Sequence, residues 1–105
     1  MSKVAPQTLE IVRQLSPAPS IEASLRQILA SEIRRRLNRY ELIDRHFRRK
    51  YGMDFKEFRE RHVVKEKGYT FEVESDYCDW EMAVTSVDAL RKQLAQIESE
   101  DAQDS

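Results

Sequence analysis

The hydrophobic and polar positions repeat most regularly between Ser20 and Gly52, where Leu25, Leu29, Ile33, Leu37, Tyr40, Phe47 and Tyr51 recur at steps of three, four or seven. That spacing predicts one long amphipathic helix with these residues on its buried face. Ser20 is its expected N-cap, with Glu22 in the first turn. Arg48, Arg49 and Lys50 suit the negative end of the dipole, and Gly52 supplies a left-handed stop. About thirty residues at a rise of about 1.5 Å span roughly 45 Å, while a compact domain of this size has a radius of gyration near 13 Å. Such a helix needs a second element or a second subunit to cover it.

The flanking pattern is read in the same way. Residues 1–7 give no periodic signal; Thr8 is positioned to cap a short helix through Leu15 that buries Leu9, Ile11 or Val12, and Leu15. Pro17 and Pro19 then predict a stiff linker, since each disfavours helix at the residue before it. After Gly52, Asp54 with Glu57 forms a capping box, and Met53 with Phe58 a hydrophobic staple. A short corner helix from Phe55 to about Arg61 is expected, its Phe55 and Phe58 packing back on the long helix. Val63 and Val64 lead into a charged connection ending at Gly68. Tyr69, Phe71 and Val73 then alternate with period two, the mark of a short extended segment. Ser75 or Asp76 is read as the start of the last helix, whose Trp80, Val87 and Leu94 form one seven-residue series and Ala83, Leu90 and Ile97 another. This seam fits a helix returning antiparallel on its predecessor. Residues 99–105 read as an acidic, disordered tail.

The resulting expectation is an all-α chain: residues 1–19 a short helix and linker, residues 20–98 a helical hairpin with a corner helix and an extended segment, forming a dimer. Composition narrows the class. With 105 residues, two glycines, three prolines and 35% charged residues, the chain is too short for several domains and too glycine-poor for sheet-rich folds. A small core makes a homodimer the expected remedy. No apolar run matches a membrane span and no signal-peptide pattern opens the sequence, so a cytoplasmic protein is expected. The single cysteine, Cys78, allows no internal disulfide and reads as a small, partly buried apolar residue.

Charge changes the picture because the net value of −1 conceals an asymmetry. Residues 34–67 carry thirteen Lys/Arg against six Asp/Glu, and residues 72–105 carry two against ten. Neutralisation of one half by the other is the simpler reading; a basic surface for nucleic acid is the functional one. At 100° per residue, Arg34, Arg45 and Arg49, with Arg35 beside them, lie opposite the apolar arc and are the candidates for phosphate contact. Leu42, an apolar residue among those arginines, is a candidate protein contact. Tyr69, Phe71 and Val73 are a second, through addition to a partner's sheet edge or by packing on the helix pair. Catalysis has little to draw on. His46 and His62 fall on different elements, and Glu72, Glu74, Asp76, Asp79 and Glu81 cluster where a helix start attracts acids. No catalytic residue, metal site or cofactor is expected.

Two stretches carry a family likeness: Lys50-Tyr51-Gly52-Met53-Asp54-Phe55-Lys56-Glu57-Phe58, and Glu72-Val73-Glu74-Ser75-Asp76-Tyr77-Cys78-Asp79-Trp80-Glu81. With their spacing, over about residues 25 to 97, the chain resembles short helical prokaryotic proteins interpreted as the antitoxin half of toxin–antitoxin pairs. The resemblance implies a non-enzymatic protein that binds and neutralises a small co-encoded toxin and dimerises through its long helices. It implies no particular site residues. The separate DNA-binding module common in that class has no counterpart in this chain.

Overall fold

The computed structural model describes residues 4–104. Among them it forms helices only: α1 (Pro6–Leu15), α2 (Ile21–Tyr51), α3 (Phe55–Glu60), α4 (Val63–Glu66) and α5 (Phe71–Asp104). No helix of the described residues is long and apolar enough to cross a membrane. The ends of the elements follow local chemistry. Ser20 accepts a hydrogen bond from the Ala23 amide at 3.1 Å, so it caps α2. Gly52, at φ 68°, closes α2 with its N–H on the Arg48 carbonyl at 2.8 Å. Asp54 accepts from the Glu57 amide at 2.9 Å and starts α3.

Four expectations fail, most of them at the ends of elements. Helix α1 begins at Pro6, behind Ala5, because proline's fixed φ suits the first helical position; Thr8 lies inside the helix instead of capping it. The stretch from Val63 contains a single helical turn, α4. Residues 71–73 are helical, and no strand forms among the described residues. The reason is Thr70, whose hydroxyl accepts from the Val73 amide at 3.3 Å and so caps α5 several residues before Ser75. At its far end α5 stays helical to Asp104, past Glu98 where a disordered tail was expected.

Contacts divide the chain into two compact units, one comprising Arg36–Arg91 and the other the chain up to Arg35 together with the chain from Lys92 onward. In the Arg36–Arg91 unit, α2 and α5 run antiparallel: Glu41 meets Arg91, Asp44 meets Trp80, and Lys50 meets Glu72 and Asp76. Trp80 and Phe58 are fully buried in its core, with Phe47, Phe55, Val63 and Val73. Four aromatic rings surround the indole, with centroids at 5.1 Å (Phe58), 5.4 Å (Phe55), 5.6 Å (Phe47) and 5.9 Å (Tyr51). Burying one indole removes roughly 200 Å² from water, on the order of 5 kcal/mol, and well-oriented ring pairs add to it. The corner expected from Phe55 and Phe58 is therefore present, and Ala83, Val87 and Leu37 extend the buried seam.

The other unit is built differently. Its two helical segments from α2 and α5 are also antiparallel, with Arg34 on Glu98 at 3.1 Å and Arg26 on Asp101 at 3.2 Å. Only Ser24 and Ala30 are buried there among the described residues, and α1 buries none. Leu25 and Leu29, expected on the buried face, are 41% and 51% exposed, and Ile11 and Leu15 are exposed as well. The cause is rotational. One covered stripe runs through Ile21, Ser24 and Ile28, a second through Arg26, Ala30 and Ile33, and at 100° per residue Leu25 and Leu29 fall between them.

Candidate functional site

Three of the eight side chains singled out by the sequence pattern, Val73, Arg34 and Arg35, are engaged within the chain. Val73 is in the core of the Arg36–Arg91 unit. Arg34 pairs with Glu98, and Arg35 with Glu32 one turn earlier at 2.6 Å, which holds the Arg35 guanidinium above its usual range through hydrogen bonding and charge. Arg45 and Arg49 are exposed, with no ion pair among the described residues. Leu42 is 57% exposed on α2.

The carboxylates near the start of α5 act as fasteners. Lys50 Nζ donates to Glu72 at 2.7 Å and to Asp76 at 2.6 Å, and the Tyr51 hydroxyl donates to Asp76 at 2.5 Å. Burial and then this hydrogen bond push the Tyr51 hydroxyl up to about 12. Lys50 is raised by its bonds to Asp76 and Glu72. Burial alone would raise the Asp76 carboxyl, but the hydrogen bonds from Lys50 and Tyr51 outweigh it, so Asp76 lies below its usual value. Further along, the buried indole donates to Asp44 at 2.8 Å while Arg48 holds the other oxygen of that carboxylate at 3.0 Å. The sequence reading missed both clusters, although Lys50, Asp76 and Trp80 stand inside its two quoted stretches.

His46 packs edge-on against Phe47 at 5.1 Å, and His62 is exposed with left-handed backbone. No group of three His, Cys, Asp or Glu among the described residues is placed to hold a metal ion. A depression of about 670 Å³ beside α3 is lined by charges of both signs, Arg48, Lys56 and Arg59 against Asp54, Glu81 and Asp88. It has the character of a solvated surface.

The apolar surface lies at the corner. Tyr69 is 58% exposed and Phe71, the first residue of α5, is 88% exposed. Phe71, Glu74 and Cys78 share one face of α5 by their spacing. Glu74 and Cys78 line a depression of about 400 Å³ with Val64, Tyr69 and Tyr77. Phe71 is thus exposed on the helix face that walls an apolar hollow, and Cys78 is exposed in that wall instead of partly buried. Burial, followed by the charge of Glu81, raises the Tyr77 hydroxyl.

The chain matches no protein-family model, no curated protein and no solved structure.

The corner site thus rests on its own geometry. The structure brings Tyr69 to it, leaves Phe71 exposed on the adjoining face of α5 and Leu42 on α2, turns Val73 inward, and adds Val64, Tyr77 and Cys78. The helical period would have found Cys78 and Tyr77 from Phe71 and Val73, had the start of α5 been read at Thr70.

Proposed function

We propose that the chain is a non-enzymatic protein-binding module of the antitoxin type, which neutralises a small co-encoded protein by covering part of its surface. The observation that carries this reading is Phe71, a phenyl ring left 88% exposed on the face of α5 whose Glu74 and Cys78 wall an apolar hollow. A large aromatic anchor with a neighbouring pocket is the arrangement that dominates affinity in protein interfaces. The likeness of the Lys50–Phe58 and Glu72–Glu81 stretches to antitoxins supplies the kind of partner. Homodimerisation belongs to the same reading, since Leu25 and Leu29 offer a second apolar surface.

The test is co-expression of the chain with the product of a neighbouring gene, followed by size-exclusion chromatography with light scattering. A stoichiometric complex that survives nuclease, restores growth of cells expressing the neighbour, and is lost in Phe71→Asp supports the proposal. A neighbour that stays toxic and unbound removes it. A monomer mass at every concentration removes the dimer.

A nucleic-acid reading is favoured by one observation, the exposed Arg45 and Arg49 pair one turn apart with no carboxylate partner among the described residues. It requires binding that falls steeply with salt and weakens in Arg45→Glu/Arg49→Glu.

A further inference from the structure

The backbone on either side of α4 turns through the left-handed region, with the Tyr69 N–H on the Val64 carbonyl at 2.9 Å and the His62 carbonyl accepting from the Glu66 N–H at 3.0 Å. Among the described residues only two that are not glycine have positive φ, His62 at 53° and Tyr69 at 55°. They bracket the single turn of α4. An L-residue in this region brings its Cβ against the neighbouring carbonyl, a clash that glycine escapes, as Gly68 does beside Tyr69 at φ 74°. Both side chains are exposed, Tyr69 by 58%, and His62 makes no capping hydrogen bond. Strain kept where glycine would be easier commonly marks a functional position.

Both side chains line one depression. It holds about 240 Å³, room for one large apolar side chain, and adjoins the larger apolar hollow through the shared Val64, Tyr69 and Tyr77. Its charged rim is one-sided, with Arg59 and Lys65 and no acid, and the His62 imidazole lies beside them. Arg59 lies 5.8 Å over the Phe55 ring, and neither it nor Lys65 has an ion pair among the described residues. Acids stand nearby on two sides: Glu74 lines the adjoining hollow, Glu81 neighbours the Tyr77 hydroxyl, and Asp54, Glu81 and Asp88 share with Arg59 the depression beside α3.

We propose that this depression seats an acidic segment of the partner protein, one apolar side chain entering between Tyr69 and Tyr77 while flanking carboxylates meet Arg59, His62 and Lys65. The inference rests on the protein-binding reading and names the chemistry of its occupant. The left-handed turns at 62 and 69 hold the clamp open before binding, so less order is lost when the partner arrives. Charge complementarity selects acidic segments over neutral ones of the same shape.

The full chain, labelled with ¹⁵N, is titrated at moderate salt with a blocked nonapeptide of one leucine flanked on each side by four acidic residues. Saturable shifts centred on His62, Val64 and Tyr69 are expected. Replacing the acids by their amides should weaken binding at least tenfold, as should Arg59→Glu/Lys65→Glu in the protein. Tyr69→Gly should melt at the same or a higher temperature yet bind at least fivefold more weakly, which a merely structural tyrosine would not do. Shifts centred elsewhere, equal affinity for the amide peptide, or a Tyr69→Gly that melts lower and binds normally would overturn the proposal. So would a thymidylate dodecamer that gives the same shifts more tightly, since the groove would then serve nucleic acid. Phe71-dependent capture of the neighbouring gene product does not depend on peptide charge; if it persists while the titration fails, only the acidic occupant is discarded.

Discussion

The two units of this chain share the same pair of long helices and differ in what those helices bury. Between Arg36 and Arg91, the antiparallel pair encloses Trp80, Phe58, Phe55 and Phe47 around an indole that is also hydrogen-bonded. In the other unit the pair buries a serine and an alanine, and Leu15, Leu25 and Leu29 face outward. Helical content is therefore a poor guide to where stability lies. Hydrophobic burial scales with the apolar area removed from water, and nearly all the large buried side chains belong to one unit.

The strongest way to break this contrast is Trp80→Ala. It removes the central ring and leaves Asp44 without its indole partner, so a loss of about 3–5 kcal/mol is expected, a large share of a small domain's total stability. Leu29→Ala in the other unit should cost less than about 0.5 kcal/mol. Urea denaturation of the two variants measures both; equal losses would abolish the distinction.

A smaller effect concerns pH. The Tyr51 hydroxyl stays neutral in the folded chain up to about 12, whereas an unfolded tyrosine ionises near 10.0. The group therefore stabilises the fold below pH 10 and loses that contribution as pH rises through this window, by about 1 kcal/mol after solvent screening. Lys50, also raised, weakens in the alkaline range in the same sense. Asp76, whose value is lowered, acts at the other end: its contribution holds above pH 3.8 and disappears as pH falls through its folded value. Melting temperatures between pH 7 and 11.5 should fall more steeply for the native chain than for Tyr51→Phe.

A last effect, opposite in sign, sharpens the contrast from the weaker side. The Ser24 hydroxyl is buried with no hydrogen-bond partner among the described residues. Ser24→Ala removes an unsatisfied polar group and should raise stability by about 1 kcal/mol in the same urea measurement. A loss of that size would mean the hydroxyl is bonded.

How much of this was legible in the sequence depends on whether a signal was local. Ser20, Gly52 and the Asp54–Glu57 box act over three or four residues through backbone hydrogen bonds, and each ends or starts its helix where expected. The start of α5 was misread because aromatic and β-branched alternation over Tyr69–Val73 imitates a strand, and a single threonine hydroxyl decided otherwise. Leu25 and Leu29 were misplaced because small residues, Ser24 and Ala30, occupy the covered positions. Periodicity weights large apolar side chains and overlooks small ones. At the corner, Tyr69 and Phe71 were legible as apolar residues in a charged stretch. The hollow beside them was not, since it depends on the left-handed turns at His62 and Tyr69, for which these residue types give little warning.

The placement of Trp80 also gives the molecule a built-in reporter. It is the chain's single tryptophan, and it is wholly enclosed by the rings of one unit. Its emission should be blue-shifted while that core is intact and move to the red only when water reaches it. Far-ultraviolet circular dichroism, by contrast, registers every helical turn in both units. Overlaying the two optical signals during one thermal ramp thus separates the melting of the aromatic half from that of the leucine-bearing half, with no label and no substitution.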